Sequence, residues 1–282
     1  MTTTFDLGPI GVALPLTPDG SHLSDAKDLE RMGYGTIWLA GGQLQSLDPV
    51  VDLVGVTTAA RIGTGIISLD VHDDERVRRL YGDLERTAPG RFIVGLGAPQ
   101  SAPSPLRAMN DFLDRVDASA NPISRQRRIL AALGPKKLEL ARERFGGAIT
   151  LLVTPDHTAR AREILGPDRA LIVDQMMVLD DDPVRARAAA REPLRFLLGN
   201  VQGYRLNARR MGFSDNEIAD LDDRLVDELV VWGDADTLAA RVLAQQRAGA
   251  DQVSLRFLRI EDGRNLVDSA RVLAERLIEV QN

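Results

Sequence analysis

Apolar residues along this chain fall in short runs separated by longer amphipathic segments. Eight runs stand out: IGVAL (10–14), TIWLA (36–40), IGTGIISL (62–69), RFIVGL (91–96), RILAAL (128–133), AITLLV (148–153), ALIVDQMMV (170–178) and QVSLRFL (252–258). Most are apolar throughout rather than alternating, which is the pattern of strands buried on both faces. The segments between them have helical spacing, and their ends are signposted. Asp48-Pro49, Thr154-Pro155 and Asp182-Pro183 each place a capping side chain ahead of a proline suited to the first helical turn. ERMGYGTIW, ERTAPGRFI, RERFGGAIT, EILGPDRALI and QRAGADQVSL each pass from helix through glycine into strand. Glycine there accepts the left-handed conformation that ends a helix.

Strands alternating with helices predict a parallel sheet with crossover helices, an α/β architecture. Eight strands are the number that closes a (β/α)8 TIM barrel, although an open doubly wound sheet has the same periodicity. The stretch 183–250 shows no clear strand. With NARRMGF and SDNEIADLDDRLVDEL inside it, it predicts a helical insertion before strand 8. No Gly/Ser linker or break in composition divides residues 1–282, so a single domain is expected.

Composition removes several classes of function. A hydrophobic fraction of 44% supplies a large core, and a net charge of −6 without a basic block argues against a nucleic-acid partner. Cysteine is absent, which removes disulfides, thiolate nucleophiles and Cys-based metal sites. Lysine occurs only at 27, 136 and 137, outside every predicted strand, so a Schiff-base aldolase fits poorly. The first strand, IGVALP, lacks the His-x-His of a metal-dependent hydrolase, and no P-loop occurs. MTTTFDLGPIG has neither the charged nor the apolar region of a signal peptide, and no apolar stretch approaches the ~18 residues of a membrane span. A cytoplasmic protein without a membrane partner is expected.

PGRFIVGLGAPQ (89–100) raises the question of a nucleotide fingerprint. The Rossmann pattern needs a third glycine and follows the first strand; here Gln100 takes that place, after the fourth strand. Pro99 also removes an amide that a phosphate cradle would use. Gly95 and Gly97 then either relieve crowding where a strand leaves the core or leave the barrel mouth bare for a flat ring.

LERMGYGTIWLA, DPVVDLVGVTTAARIGTGI, APGRFIVGLGAP, LAALGPKKLELARERFGGAITLLVTPDHTARAREILGP and VVWGDADTLAARVLAQQRAGADQV follow one another in a familiar order. Over residues 8–275 the chain resembles the bacterial luciferase-like family of (β/α)8 flavin- and deazaflavin-dependent oxidoreductases, in particular an actinobacterial branch of F420-dependent enzymes. The resemblance implies coenzyme F420, with FMN as the alternative, lying across strands 2–5 at their carboxyl ends. It implies cofactor contacts from Gly41 after strand 2, and from Gly65, Ile66 and Ile67 on strand 3, with a cis Gly65–Ile66 peptide beneath the ring. Gly97, Ala98 and Gln100 follow strand 4, and Leu133, Gly134, Pro135 and Lys136 meet the phosphate. The last assignment agrees with the residues themselves: Gly134 and the amides opening the next helix offer donors and a positive dipole end, and Lys136 or Lys137 adds a charge. A homodimer through the second and third helices is a further implication.

His22, His72 and His157 all follow strands, on the face where such barrels place their chemistry. His72, in SLDVHDDE, is the expected proton donor, because the third strand abuts the ring and the adjacent acids raise its pKa. Many deazaflavin dehydrogenases of the family carry an acid or histidine at the end of strand 2 and a glutamate after the strand 4 glycines. Here those places read Ala40-Gly41-Gly42-Gln43 and Ala98-Pro99-Gln100. Three functions follow: an F420-dependent oxidoreductase acting on a small organic substrate, an FMN-dependent luciferase-like monooxygenase, and a flavin-binding barrel with weak or no catalysis.

Overall fold

The computed structural model describes residues 7–40, 44–260 and 263–281. The strands are β1 (Ile10–Pro15), β2 (Thr36–Ala40), β3 (Arg61–Gly65), its continuation β4 (Ile67–Ser68), β5 (Phe92–Gly97), β6 (Arg128–Ala131), β7 (Gly147–Leu151), β8 (Ala170–Leu179), β9 (Val231–Gly233) and β10 (Gln252–Phe257). All pairings are parallel, and β10 bonds to both β1 and β8. That closure makes the sheet an eight-stranded barrel, with β3 and β4 counted as one strand and β9 outside the ring, and decides against the open sheet.

Strand parity sorts the side chains. Val12, Leu14, Ile37, Leu39, Ile62, Val94, Leu96, Leu130, Val173 and Leu255 point outward into the core beneath the helices. Trp38, Ile93, Ile129, Ile149 and Ile172 point inward and fill the lumen. Trp38 donates its indole N–H to Gln252 Oε1 at 2.7 Å, and Gly63 leaves room for the ring.

The helices are α1 (His22–Arg31), α2 (Asp48–Val56), α3 (Asp74–Thr87), α4 (Pro105–Asp117), α5 (Pro135–Arg144), α6 (Pro155–Leu165), α7 (Pro183–Asn200), α8 (Gln202–Arg210), α9 (Asp215–Asp220), α10 (Asp223–Leu229), α11 (Ala235–Arg247) and α12 (Leu266–Gln281). Thr154 and Asp182 cap α6 and α7 as expected, each accepting first-turn amides. Asp48 does not cap: it is the first helical residue, behind Leu47. Four expected glycine stops, Gly33, Gly90, Gly166 and Gly249, have positive φ. The Gly146-Gly147 pair does not. Gly147 serves a close approach instead, since a Cβ there would lie 2.2 Å from the Ala170 carbonyl oxygen.

The expected helical insertion is present as α7–α10, but the segment also holds β9, which pairs with Met177–Leu179. The insertion has its own core of Ala190, Leu194, Leu198, Ala208, Leu225 and Val226. Leu152, Met176 and Val178 join that core to the barrel and so set α8 beside the carboxyl ends of the strands.

On the opposite side of the barrel, Glu30 ties α1 to the turn before β3. Its carboxylate accepts the amides of Thr58 (2.9 Å), Ala59 (2.7 Å) and Ala60 (2.7 Å). Burial alone would raise its pKa, but those bonds outweigh it and bring it down to about 2. The lowered value makes the bonds stabilising above the ordinary carboxyl pKa, and the contribution fades as pH falls toward 2. Glu30→Gln is expected to lose about 2 kcal/mol at neutral pH. Urea unfolding at pH 7 and pH 3 should show the wild-type advantage shrinking at the lower pH.

Candidate active site

At the carboxyl end of the barrel the third strand is interrupted at Ile66, and the Gly65–Ile66 peptide bond is cis, at the position the sequence resemblance implies. Between the β3 and β4 pairings, a side chain replaces the ladder to β5. Gly95 N–H donates to Thr64 Oγ1 at 2.9 Å, and the Thr64 hydroxyl donates to the Gly95 carbonyl at 3.0 Å. The displaced third strand also fills the space that side chains at 95 and 97 would need. A Cβ on Gly95 would lie 1.8 Å from the Thr64 carbonyl oxygen, and one on Gly97 would lie 2.3 Å from Ile66 Cδ1. This corrects the bare-mouth reading of the two glycines: they accommodate the third strand, and half-buried Ile66 takes the surface above Gly97. Ala40, Gly65 and Ala131, all half-buried, have the same inward parity near this level, whereas Ala13, in register with Trp38, is buried beneath it. These three half-buried positions carry only a methyl group or a hydrogen, and so form an apolar floor of low relief.

Other expected contacts divide by parity. Ile67 and Ala98 turn their side chains outward into the helix-covered core, so only their main chain borders the mouth. Gln100 has an exposed position; its main-chain N–H binds Asp70 Oδ2 at 2.6 Å, and its side chain folds back to the Ala98 carbonyl at 3.4 Å. Gly41 lies outside the described residues.

Each histidine is on the expected face, and each holds a loop. His22 Nδ1 meets the Thr17 amide at 3.3 Å and the Thr17 hydroxyl at 3.0 Å within the loop after β1. Buried His72 donates from Nε2 to the Leu44 carbonyl at 2.6 Å, linking the loops after β4 and β2. That bond assigns the proton to Nε2 and leaves Nδ1 as a buried acceptor without a partner among the described residues. The neighbouring acids have partners of their own. Asp70 binds Gln100 and Ser101, Asp73 caps α3, and Asp74 pairs with Arg115. For Asp70, burial would raise the pKa, but the Ser101 and Gln100 bonds prevail and lower it.

His157 donates Nε2–H to the Leu133 carbonyl at 3.0 Å, and burial lowers its pKa, favouring the neutral ring. Leu133 leads into Gly134, the N-cap of α5, which has no side-chain cap. The Arg210 guanidinium of α8 sits over Gly134, 3.3 Å from where a Cβ would be. Asn207, one turn earlier on α8, lies beside His157 with both amide atoms buried and unbonded. Pro135 removes one donor, Lys136 is exposed, and burial lowers the pKa of half-buried Lys137. The ends of α5 and α8 thus converge on an uncapped helix N-terminus with an arginine above it. Arg210 and Asn207 were not legible in sequence, because nothing local places α8 over α5.

Asp174 and Arg256 were missed as well. Both point into the lumen from β8 and β10, where Arg256 Nε reaches Asp174 Oδ1 and Oδ2 at 3.0 and 3.1 Å and Nη2 closes the pair. A signal did exist: Asp174 is the one charge in ALIVDQMMV, at the parity of lumen-facing Ile172. A cavity of about 440 Å3 lies elsewhere, within the insertion, lined by Arg195, Arg205, Arg209 and Asp215 over Leu198 and Ile218. Among the described residues, no group of three or more His, Asp or Glu could hold a metal ion, and no helix is long and apolar enough to cross a membrane.

No protein-family model matches the chain, and no curated protein matches it in sequence. Solved structures do match its fold. An F420-dependent secondary alcohol dehydrogenase in complex with an F420–acetone adduct superposes with a TM-score of 0.74 at 14% identity, covering 98% of this chain and 99% of that one. The coenzyme F420-dependent tetrahydromethanopterin reductase from Methanopyrus kandleri gives 0.67 at 14% identity, over 98% and 100% of the two chains. The oxygenating constituent of 3,6-diketocamphane monooxygenase from Pseudomonas putida, with FMN, gives 0.68 at 12% identity, over 96% and 97%. These likenesses establish a shared barrel architecture.

Proposed function

We propose that the protein is an oxidoreductase that binds coenzyme F420 at this mouth and works on a small organic substrate. The observation that carries the reading is the pairing of two surfaces: the half-buried apolar floor of Ala40, Gly65, Ile66 and Ala131, and the uncapped α5 N-terminus beneath Arg210. The first suits a planar ring, and the second suits a phosphate, with Arg210 adding a charge-assisted donor. When bound, F420 supplies the hydride-transfer chemistry. The chain's own residues do the rest. Ile66 and Gly65 set the height of the ring, Leu133 and Gly134 position the phosphate end, and Asn207 offers unused amide donors and an acceptor nearby. His72, with its proton on Nε2 committed to Leu44, presents Nδ1 as an acceptor, so it suits taking up a proton better than the donor role its sequence suggests. A homodimer through α2 and α3 belongs to the same reading, and Val51 on α2, 46% exposed, is an apolar residue available for it.

FMN fits the same floor and phosphate site, so the cofactor is decided by titration. Absorbance or fluorescence titration is expected to show saturable F420 binding, weakened about tenfold by Arg210→Ala. Binding of FMN alone would move the reading to the monooxygenase alternative. Binding of neither would end it. Tight cofactor binding with no turnover across a substrate panel would favour the flavin-binding barrel without catalysis.

A further inference from the structure

The wall of the lumen formed by β8 and β10 differs from the floor. Register pairs Ile172 with Gln252, Asp174 with Ser254, and Met176 with Arg256, all on the inward parity. Asp174 is 4% exposed and is satisfied by Arg256 through Nε and Nη2. Arg256 Nη1, with two N–H donors, has no acceptor among the described residues. Ser254 Oγ, on the same face one step below Arg256, is buried and unbonded. From the insertion, half-buried Tyr204 of α8 packs against the core that holds Met176, the register partner of Arg256, and lies within electrostatic reach of Arg256 and Asp174. Burial raises its pKa to about 12, so it is an O–H donor over the whole working range. Burial would lower the Arg256 pKa, but Asp174 outweighs it and raises it, so the arginine stays charged.

The charge balance of this wall selects what can bind there. Asp174 already neutralises Arg256. A carboxylate or phosphate brought to Nη1 gains from Arg256 about what it loses to Asp174, and its own desolvation is left uncompensated. A neutral oxygen avoids that penalty and still takes up donors that are otherwise idle.

Building on the F420 reading above, we propose that Arg256 Nη1 and the Tyr204 hydroxyl hold the oxygen of a neutral carbonyl or alcohol substrate, and that Asp174 excludes carboxylates and phosphate esters. The substrate class is therefore a neutral ketone, aldehyde or alcohol, seated between the floor and this wall. Tyr204 and Arg256 act as specificity-determining residues, with Asp174 setting their charge.

Fluorine NMR with a matched pair of probes, para-fluoroacetophenone and para-fluorobenzoate, tests this on the full-length protein with and without cofactor. The ketone is expected to bind the wild type, and the benzoate to bind at least about tenfold more weakly. Tyr204→Phe should weaken the ketone about fivefold while cofactor affinity stays unchanged. Asp174→Asn leaves Arg256 uncompensated and should largely remove the preference, strengthening benzoate about tenfold. Should that variant fail to fold, Tyr204→Phe and the wild-type ratio still decide. The proposal is overturned if no ketone binds at millimolar concentration, if benzoate matches the ketone on the wild type, or if Tyr204→Phe leaves ketone binding intact. Failure of both F420 and FMN to bind removes the function proposed above, whereas the ketone-to-benzoate ratio of the cofactor-free protein continues to decide this inference.

Discussion

Gly95→Ala is expected to destabilise the barrel by about 4–5 kcal/mol, well beyond an ordinary overpacked core. The reason is the identity of the atom in the way. A Cβ at 95 meets the Thr64 carbonyl oxygen at 1.8 Å, and a main-chain oxygen within a closed sheet cannot rotate aside. Relief requires the third and fourth strands to separate. That separation breaks the reciprocal Thr64–Gly95 hydrogen bonds, the links that bridge the interrupted ladder at this point. Melting followed by circular dichroism should show a fall of about 10 °C or more. A loss below about 1 kcal/mol would mean that the third strand adapts freely and that the close approach is not a constraint.

Gly97→Val has a different expected consequence, although it lies only two residues away. Its obstacle is the Ile66 δ-methyl, 2.3 Å from the new Cβ, and that methyl is the far end of a flexible side chain. The protein should fold with a moderate loss of about 1–3 kcal/mol. Ile66 must then move, and the direction open to it is up into the mouth. Lifting a ring from its floor over about 100 Å² of apolar contact corresponds to about 2.5 kcal/mol, close to a hundredfold in affinity. The measurement is the F420 or FMN dissociation constant of a variant shown to be folded. Unchanged affinity would place the ring somewhere other than over Gly65 and Ile66.

These two glycines also show what the sequence made legible and what it hid. The strands were readable because a parallel barrel buries both faces of each one, so its runs are apolar without interruption. β9 escaped because three residues, Val231–Gly233, are too few to show a pattern. The site was readable as a place, at the carboxyl ends of the strands, but less so as a set of side chains. Consecutive positions such as Ile66 and Ile67, or Gly97 and Ala98, cannot all face the mouth, since strand parity alternates between lumen and helix layer. Gly95 and Gly97 were conspicuous, yet their reason lies 31 residues away in Thr64 and Ile66. Asp174 and Arg256 are separated by 82 positions and meet only because β10 closes against β8. Arg210 reaches Gly134 only through the packing of the insertion.

The histidine and aspartate bonds around the mouth have a consequence for how this rim could be rebuilt. His72 fastens the loop after β4 to Leu44, and Asp70 fastens the same loop to Gln100 and Ser101, so the loops following β2, β4 and β5 form one connected arc. His157 fastens the loop after β7 to Leu133, and Arg210 leans on Gly134, so the loops after β6, β7 and β8 form another. Grafting a single loop from another barrel would sever a bond inside an arc and loosen its neighbours. Transplanting a whole arc keeps every such bond internal, which makes the two arcs the natural modules for recombining this scaffold.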